Sequence, residues 1–349
     1  MPHTGFTSLP VVDVSGLYAR DPAARLAAAK ALGSAARQYG FFYVVGHRVA
    51  PAFVERLIAQ ATTFFALPLA EKMRWYIGHS QHHKGYVPEG EEVLYGGARD
   101  RKEAFDLGLD LAPAGTAPDT PMLGPNVWPE VPGFQEDVGS YYNAVFSLGN
   151  LLFRGFALAL SLEETYFDRL VTKPPSQLRL IHYPHNPDAV DAQGIGAHTD
   201  YECFTILLAT APGLEVMNGA GEWIDAPPIE GAFIVNIGDL MEIWTNGEFI
   251  ATSHRVRRVS QERYSFPLFC ACDYHTRVEP LPALVAPDRP SRYPAVIAGE
   301  HLFAQTVQSF TYLKARLEIG EIKLPEAALP LSSFGQEARQ LNRSQAHKA

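Results

Sequence analysis

Apolar positions in the first part of the chain recur at helical intervals between strong turn residues. Asp21-Pro22 places a capping carboxylate ahead of proline at a first helical position, and Gly40 supplies a stop, so the alanine-rich segment between them is predicted helical. Phe41 to Val45 is an unbroken apolar run, predicted as a buried strand. Pro51 opens a second helix in which Val54, Leu57, Ile58, Ala61 and Phe65 fall three and four residues apart. Residues 77–134 then lose any sustained period and are rich in Gly, Pro and polar side chains. Such a stretch reads as a functional loop, carrying Tyr86, Glu91, Glu92, Tyr95 and Phe105. A long helix is predicted over 135–162, with Val138, Tyr142, Val145, Phe146, Leu152 and Phe156 on its apolar side. Short strands follow, separated by turn signals such as Asn218-Gly219 and Asn246-Gly247. A final helix is predicted from Gly299 to Leu317, ahead of a polar tail after Gln336.

Evenly spaced short strands predict two facing antiparallel sheets, a jelly roll, within an α+β chain. The expected organisation is a mixed helical region over 1–175 containing the 77–134 substrate loop, a jelly-roll core over 176–280, and a C-terminal helical segment and tail over 281–349. With 349 residues and 47% hydrophobic content, the chain can bury a large core. A net charge of −9 argues against nucleic acid or an anionic membrane as partner. The nearest candidate for a membrane span, Leu151 to Leu162, is short and interrupted by Arg154. Met1-Pro2-His3-Thr4 lacks the basic and apolar regions of a signal peptide. Three cysteines form no disulfide framework, and Cys270 and Cys272 are expected as small buried residues, so a reducing cytoplasm is the expected compartment. The expected partner is a small molecule, and the expected assembly a monomer or weak dimer.

The chemistry concentrates around His198, Asp200 and His254. Two imidazoles and one carboxylate are the ligand set by which non-haem Fe(II) oxygenases hold iron with positions left open. In an extended strand the two-residue period turns His198 and Asp200 to one face, and His254 would complete the set from another strand. Nine residues later, Arg263 and Ser265 share a strand face by the same rule. A buried Arg beside a hydroxyl is costly unless an anion pairs with it, and its planar fork suits a carboxylate.

The stretch from Leu178 to Asp273 resembles the isopenicillin N synthase-like branch of the Fe(II)/2-oxoglutarate-dependent oxygenases. The resemblance is carried by Leu180-Ile181-His182-Tyr183-Pro184, Gly196-Ala197-His198-Thr199-Asp200, Pro212-Gly213-Leu214-Glu215-Val216 and Gly221-Glu222-Trp223. It continues through Asn236-Ile237-Gly238-Asp239, Trp244-Thr245-Asn246-Gly247, Ser253-His254-Arg255-Val256 and Arg263-Tyr264-Ser265. Leu9-Pro10-Val11-Val12-Asp13 and Gly40-Phe41-Phe42-Tyr43-Val44 resemble the family's N-terminal region. The resemblance implies a double-stranded β-helix with flanking helices and Fe(II) on His198, Asp200 and His254. It also implies 2-oxoglutarate and O2 as cosubstrates, with ascorbate a candidate reductant. Arg263 and Ser265 would hold the distal carboxylate of 2-oxoglutarate, and Tyr183 would donate its hydroxyl to it. The implied reaction is hydroxylation or desaturation of a small molecule with release of succinate and CO2. The alternatives on this scaffold are an oxidase that uses no 2-oxoglutarate and an ethylene-forming enzyme that consumes it. For the substrate, the motifs around Tyr86, Glu92 and Phe105 resemble a loop of microbial members, in which Glu92 would meet a cationic or amine group. Arg179, Tyr201 and Phe269 are further pocket candidates. His82 and His83 are expected in solvent, His182 on the strand face opposite Tyr183, and Arg255, Arg257 and Arg258 as a cluster exposed at alternate positions.

Overall fold

Asp21 caps the first helix as its sequence predicts, its carboxylate accepting from the backbone N–H groups of Ala23 and Ala24. The computed structural model describes residues 5–92, 102–111, 120–185, 193–257 and 261–325. Tyr95, Arg258 and the tail after Gln336 lie outside the described residues. Strand β1 (Val11–Asp13) leads into helix α1 (Pro22–Gln38), which stops before Gly40 at a φ of 66°. Strand β2 (Phe41–Val45) and helix α2 (Pro51–Phe65) follow as expected, then a one-turn helix α3 (Leu69–Lys72).

The 77–134 stretch is more ordered than its composition suggests. It contributes strands β3 (Gly85–Val87) and β4 (Glu103–Gly108), every residue of which is buried. The long helix α4 (Phe134–Ala159) matches its prediction closely. Strands β5 (Gln177–Tyr183), β6 (Gln193–His198), β7 (Phe204–Ala209), β8 (Leu214–Met217), β9 (Trp223–Asp225) and β10 (Phe233–Ile237) follow. After the short helix α5 (Asp239–Trp244) come β11 (His254–Arg257) and β12 (Arg263–Cys270). The single C-terminal helix expected over 299–317 is two helices, α6 (Ala298–Ser309) and α7 (Thr311–Glu318), broken at the extended Phe310.

Eight strands form one sheet in the order β1-β2-β10-β7-β12-β5-β4-β3, and four form a second, β6-β11-β8-β9. The boundary expected at residue 175 is therefore crossed by hydrogen bonds: β2 pairs with β10, and β4 with β5. The large sheet is buried on both faces. Leu178, Leu180, Phe266 and Leu268 join α1, α2 and α4 in one apolar cluster, while Ile181 and Leu207 join Ile195, Leu214 and Val256 of the small sheet in another. Alternation along β5 and β12 thus sends even-numbered residues toward the helices and odd-numbered ones between the sheets. That parity positions the site. Cys203, Cys270 and Cys272 are buried free thiols.

Candidate metal centre

The antiparallel register of β6 and β11 puts His198 directly opposite His254, their rings 4.2 Å apart. Asp200 is not in the strand, which ends at His198, but the chain beyond returns its carboxylate to the same point. Asp200 Oδ1 lies 3.7 Å from His198 Nε2 and 3.6 Å from His254 Nε2. One donor atom from each of the three residues falls within 4.8 Å of the others, so a single ion can bridge them.

The surroundings fix which atoms face that point. His198 Nδ1 lies 2.7 Å from the Gly196 carbonyl and His254 Nδ1 3.2 Å from the Thr252 carbonyl. A carbonyl only accepts, so both Nδ1 atoms carry the proton and both Nε2 lone pairs are left for a metal. Asp200 Oδ2 accepts from Asn236 Nδ2 at 2.7 Å and from the Thr205 hydroxyl, leaving Oδ1 turned to the imidazoles. Burial, then the neighbouring His254, pushes the His198 pKa down to about 4, favouring the neutral ligand form. Burial alone would raise Asp200, but His254, His198 and the Asn236 and Thr205 donors hold it below the ordinary carboxylate value. Two neutral imidazoles and one carboxylate are what a divalent iron site requires.

The same cavity runs between the sheets to Arg263, Ser265 and Tyr183. Arg263 is fully buried and pairs in register with Tyr183, whose ring lies 4.9 Å beneath its guanidinium. Its Nε donates to the Ala211 carbonyl at 3.1 Å, while both terminal nitrogens are buried without a well-aligned hydrogen-bond partner. Burial pulls the guanidinium pKa down, against the opposing pull of Tyr183. Ser265, two residues on, shares the face as its spacing predicts. An unpaired buried cation is costly, so this end of the cavity is suited to an anion.

Toward the opposite end the odd-numbered residues of β5 and β12 continue as Arg179, Gln177 and Phe269. Arg179 is held bidentately by Asp106, directly across the ladder, with Nε–Oδ1 and Nη2–Oδ2 both 2.8 Å. Its Nη1 reaches the Glu92 oxygens at 3.3 and 3.1 Å, and Lys102 Nζ lies 2.8 Å from Glu92 Oε2. Burial would raise Glu92, but Arg179 and Lys102 hold it below its usual value; burial dominates at Asp106 and raises it. Glu202, also on the wall, is pushed up to about 8 by burial and then by Asp200.

Of the substrate candidates, Glu92, Arg179, Tyr201 and Phe269 line the cavity, and Tyr86 does not. On β3 it turns toward the helices, meets Phe64 edge to face and donates to Glu103 at 2.5 Å, because its parity places it on the outer face. His83 is a second correction: it is buried against Phe310, bonded through Nδ1 to the Tyr312 hydroxyl at 2.6 Å, and on the cavity wall. Burial pushes its pKa down to about 3. His182 faces outward as expected, bonded to Glu103 and Glu262. Arg255 and Arg257 flank the buried Val256 and both pair with Glu215. The sequence alone assigns no role to Asn236, Thr205, Asp106, Lys102 or Gln177; of these Asn236 stands inside a motif that carries the resemblance.

Comparison with known proteins agrees with this geometry. Residues 9–131 match the family model described as non-haem dioxygenase in morphine synthesis N-terminal, and residues 174–271 match 2OG-Fe(II) oxygenase superfamily. The chain is 32% identical to the 2-oxoglutarate-Fe(II) type oxidoreductase hxnY of Emericella nidulans, covering 87% of this chain and 91% of that protein. It is 33% identical to the homoarginine-6-hydroxylase 2-ODD-233 of Oryza sativa, covering 87% and 98%. Among solved structures, full-length Neurospora crassa T7H in complex with alpha-KG and thymine superposes with a TM-score of 0.76 at 26% identity, covering 91% and 98%. A 2OG-Fe(II) oxygenase family protein from Caulobacter crescentus superposes at 0.75 with 33% identity, covering 91% and 100%. No helix among the described residues is long and apolar enough to cross a membrane. A jelly roll with a His-Asp-His centre, matched along most of its length by such relatives, belongs to the Fe(II)/2-oxoglutarate-dependent oxygenase superfamily, and the chain is a 2-oxoglutarate-dependent oxygenase.

Proposed function

We propose that His198, Asp200 and His254 hold the ferrous ion and that Arg263 and Ser265 receive the distal carboxylate of 2-oxoglutarate, with Tyr183 beside it. The outer cavity, bordered by Arg179, Glu92, Tyr201 and Phe269, takes a small organic molecule that is hydroxylated or desaturated. The observation that carries this reading is Arg263: a fully buried guanidinium on the wall of the cavity that also holds the triad, with Tyr183 beside it and no carboxylate partner among the described residues. A dicarboxylate anchored there removes the cost of an uncompensated buried cation. Iron, when bound, supplies oxidative decarboxylation of the 2-oxo acid coupled to oxidation of a C–H bond.

The protein's own contribution is placement. The Gly196 and Thr252 carbonyls orient the two imidazoles, while Asn236 and Thr205 hold Asp200. Ile195, Leu207, Leu214 and Val256 give the cosubstrate end an apolar wall that excludes water. One relative is named a homoarginine-6-hydroxylase and a structural neighbour is in complex with thymine, so the relatives span a cationic amino acid and an uncharged heterocycle. A reducing, cytoplasmic compartment accords with three buried free thiols.

Anaerobic addition of Fe(II) and 2-oxoglutarate to the protein is expected to give the weak visible charge-transfer band of a bidentate complex, and His198→Ala to abolish it. No band in the wild-type protein, or a band unchanged in His198→Ala, refutes the assignment. Succinate release against a panel of small metabolites then identifies the substrate.

A further inference from the structure

The cavity wall beyond the metal centre is dense with ionisable groups, yet its charges are already spent on one another. Arg179 uses its Nε and Nη2 on Asp106 and its Nη1 on Glu92, and Lys102 closes the set on Glu92. Two cations and two carboxylates balance. All four are buried, Asp106 completely. A substrate ammonium or guanidinium approaching Glu92 would meet a carboxylate flanked by two cations of the protein, and a substrate carboxylate approaching Arg179 would meet a fork occupied by two carboxylates. Among the described residues a substrate carboxylate would find no free cation on this wall, and a substrate cation no carboxyl outside the quartet other than Glu202, so a charged group is disfavoured there.

What the wall leaves available is neutral. Gln177 lies at the outer end of the β5 row that runs through Arg179 and Ile181 to Tyr183, and all four line the cavity. Its side-chain amide nitrogen is buried with no hydrogen-bond partner. Thr306 and Ser309, on the helix closing the cavity, spend their hydroxyl protons on the Leu302 and Gln305 carbonyls, so toward a ligand they can only accept. Tyr201, Phe269 and Phe310 supply apolar ring surface between these polar points.

Resting on the oxygenase reading above, we infer that the primary substrate is an uncharged molecule with an apolar body and a carbonyl-type acceptor, and that Gln177 is a specificity-determining residue that donates to that acceptor. The expectation that Glu92 receives a cationic substrate group is replaced by a structural role: Glu92 and Asp106 neutralise Arg179. Among the described residues one cavity carboxyl lies outside this balanced set and the metal ligands, Glu202, so an amine seated on Glu202 is the rival outcome.

The test uses the Fe(II)-loaded full chain and two sets of matched probes: thymine, orotate and 5-(aminomethyl)uracil; and phenylacetamide, phenylacetate and phenethylamine. Stimulation of succinate release from 2-oxoglutarate is measured for each. The uncharged member of a set should stimulate most. Gln177→Leu should raise the KM of the best uncharged probe roughly three- to tenfold, the loss of one neutral hydrogen bond, with kcat little changed. Gln177→Asn should recover part of that loss, and the anaerobic dissociation constant for 2-oxoglutarate should stay within about twofold, as expected for a contact remote from Arg263. The inference is overturned if a charged member stimulates as well as its uncharged counterpart, if no uncharged member stimulates, or if Gln177→Leu leaves KM unmoved. A wild-type protein without the Fe(II)–2-oxoglutarate band would instead refute the underlying oxygenase assignment.

Discussion

Replacing Arg263 by leucine should move two measurable quantities in ways that an ordinary structural arginine would not. In the wild-type protein the guanidinium is fully buried, makes one backbone hydrogen bond through Nε to Ala211, and has the neutral Tyr183 rather than a carboxylate beside its terminal nitrogens. Without cosubstrate it is therefore a desolvated cation with little compensation. Leucine removes that burden and keeps apolar volume, at the cost of the single Nε bond. The apo protein should change stability by no more than about 1 kcal/mol in either direction, in line with the near-neutral replacement of buried charges by apolar residues. With 2-oxoglutarate present the sign is clear: losing a charge-assisted contact to a carboxylate costs about 2–3 kcal/mol, or roughly 30- to 140-fold in dissociation constant. Urea unfolding of the apo protein gives the first quantity. Anaerobic titration of the Fe(II) protein with 2-oxoglutarate gives the second. If Arg263→Leu destabilises the apo protein by about 3 kcal/mol or more while 2-oxoglutarate affinity is unchanged, the guanidinium is a structural tie, and the reasoning from its lack of a carboxylate partner is wrong.

Asn236→Ala removes a donor from the far oxygen of Asp200 and should weaken metal binding about 10- to 100-fold, read by equilibrium dialysis with Mn(II); an unchanged affinity would show that Thr205 alone orients the carboxylate. Gly238→Ala touches no ligand, but its Cβ would collide with the Glu202 carbonyl and crowd that of Asp200, so the same dialysis should show reduced Mn(II) affinity, and full affinity would mean that this loop yields freely. Asp106→Asn breaks a buried bidentate pair and should lower stability by about 3–5 kcal/mol in urea unfolding; a loss under about 1 kcal/mol would show that Glu92 suffices to neutralise Arg179. His83 and His301 are held neutral by burial, their pKa values pushed down to about 3 and about 4 from 6.5. Below pH 6.5 the unfolded chain binds protons that these folded-state imidazoles refuse, so each should contribute a loss of roughly 1 kcal/mol per pH unit between pH 6 and pH 5, and His301→Phe should lessen the fall in stability by that amount. A flat profile over that interval, or one unaltered by His301→Phe, would contradict the burial argument.

The candidate metal centre and the Arg263–Ser265 pair beside it were readable in the sequence because their information is local: a two-residue strand period and a few spacings single out His198, Asp200, Arg263 and Ser265. Even there the route differs, since Asp200 reaches the metal point from beyond the end of β6. The charge-balanced quartet was not readable, because Asp106 meets Arg179 only through the β4–β5 register, between residues more than seventy positions apart. β4 itself was hidden because both of its faces are buried, giving no alternation, and Gly- and Pro-rich sequence surrounds it. His83 looked like a solvated loop residue because what covers it, Phe310 and Tyr312, arrives from the far end of the chain. Tyr86 sat in the right loop with the wrong parity, a distinction that appears only once the strand is known.

The placement of β2 between β1 and β10 has a consequence for how the polypeptide acquires its shape during synthesis. The second strand emerges from the ribosome early, yet the segment that must zip along its open edge, Phe233–Ile237, is made some 190 residues later. Until then an apolar ribbon with unsatisfied amides waits for its neighbour, and every intermediate length exposes a sticky edge. Fragments divided near position 175 should accordingly be insoluble when expressed apart, and co-expression of the two should rescue both.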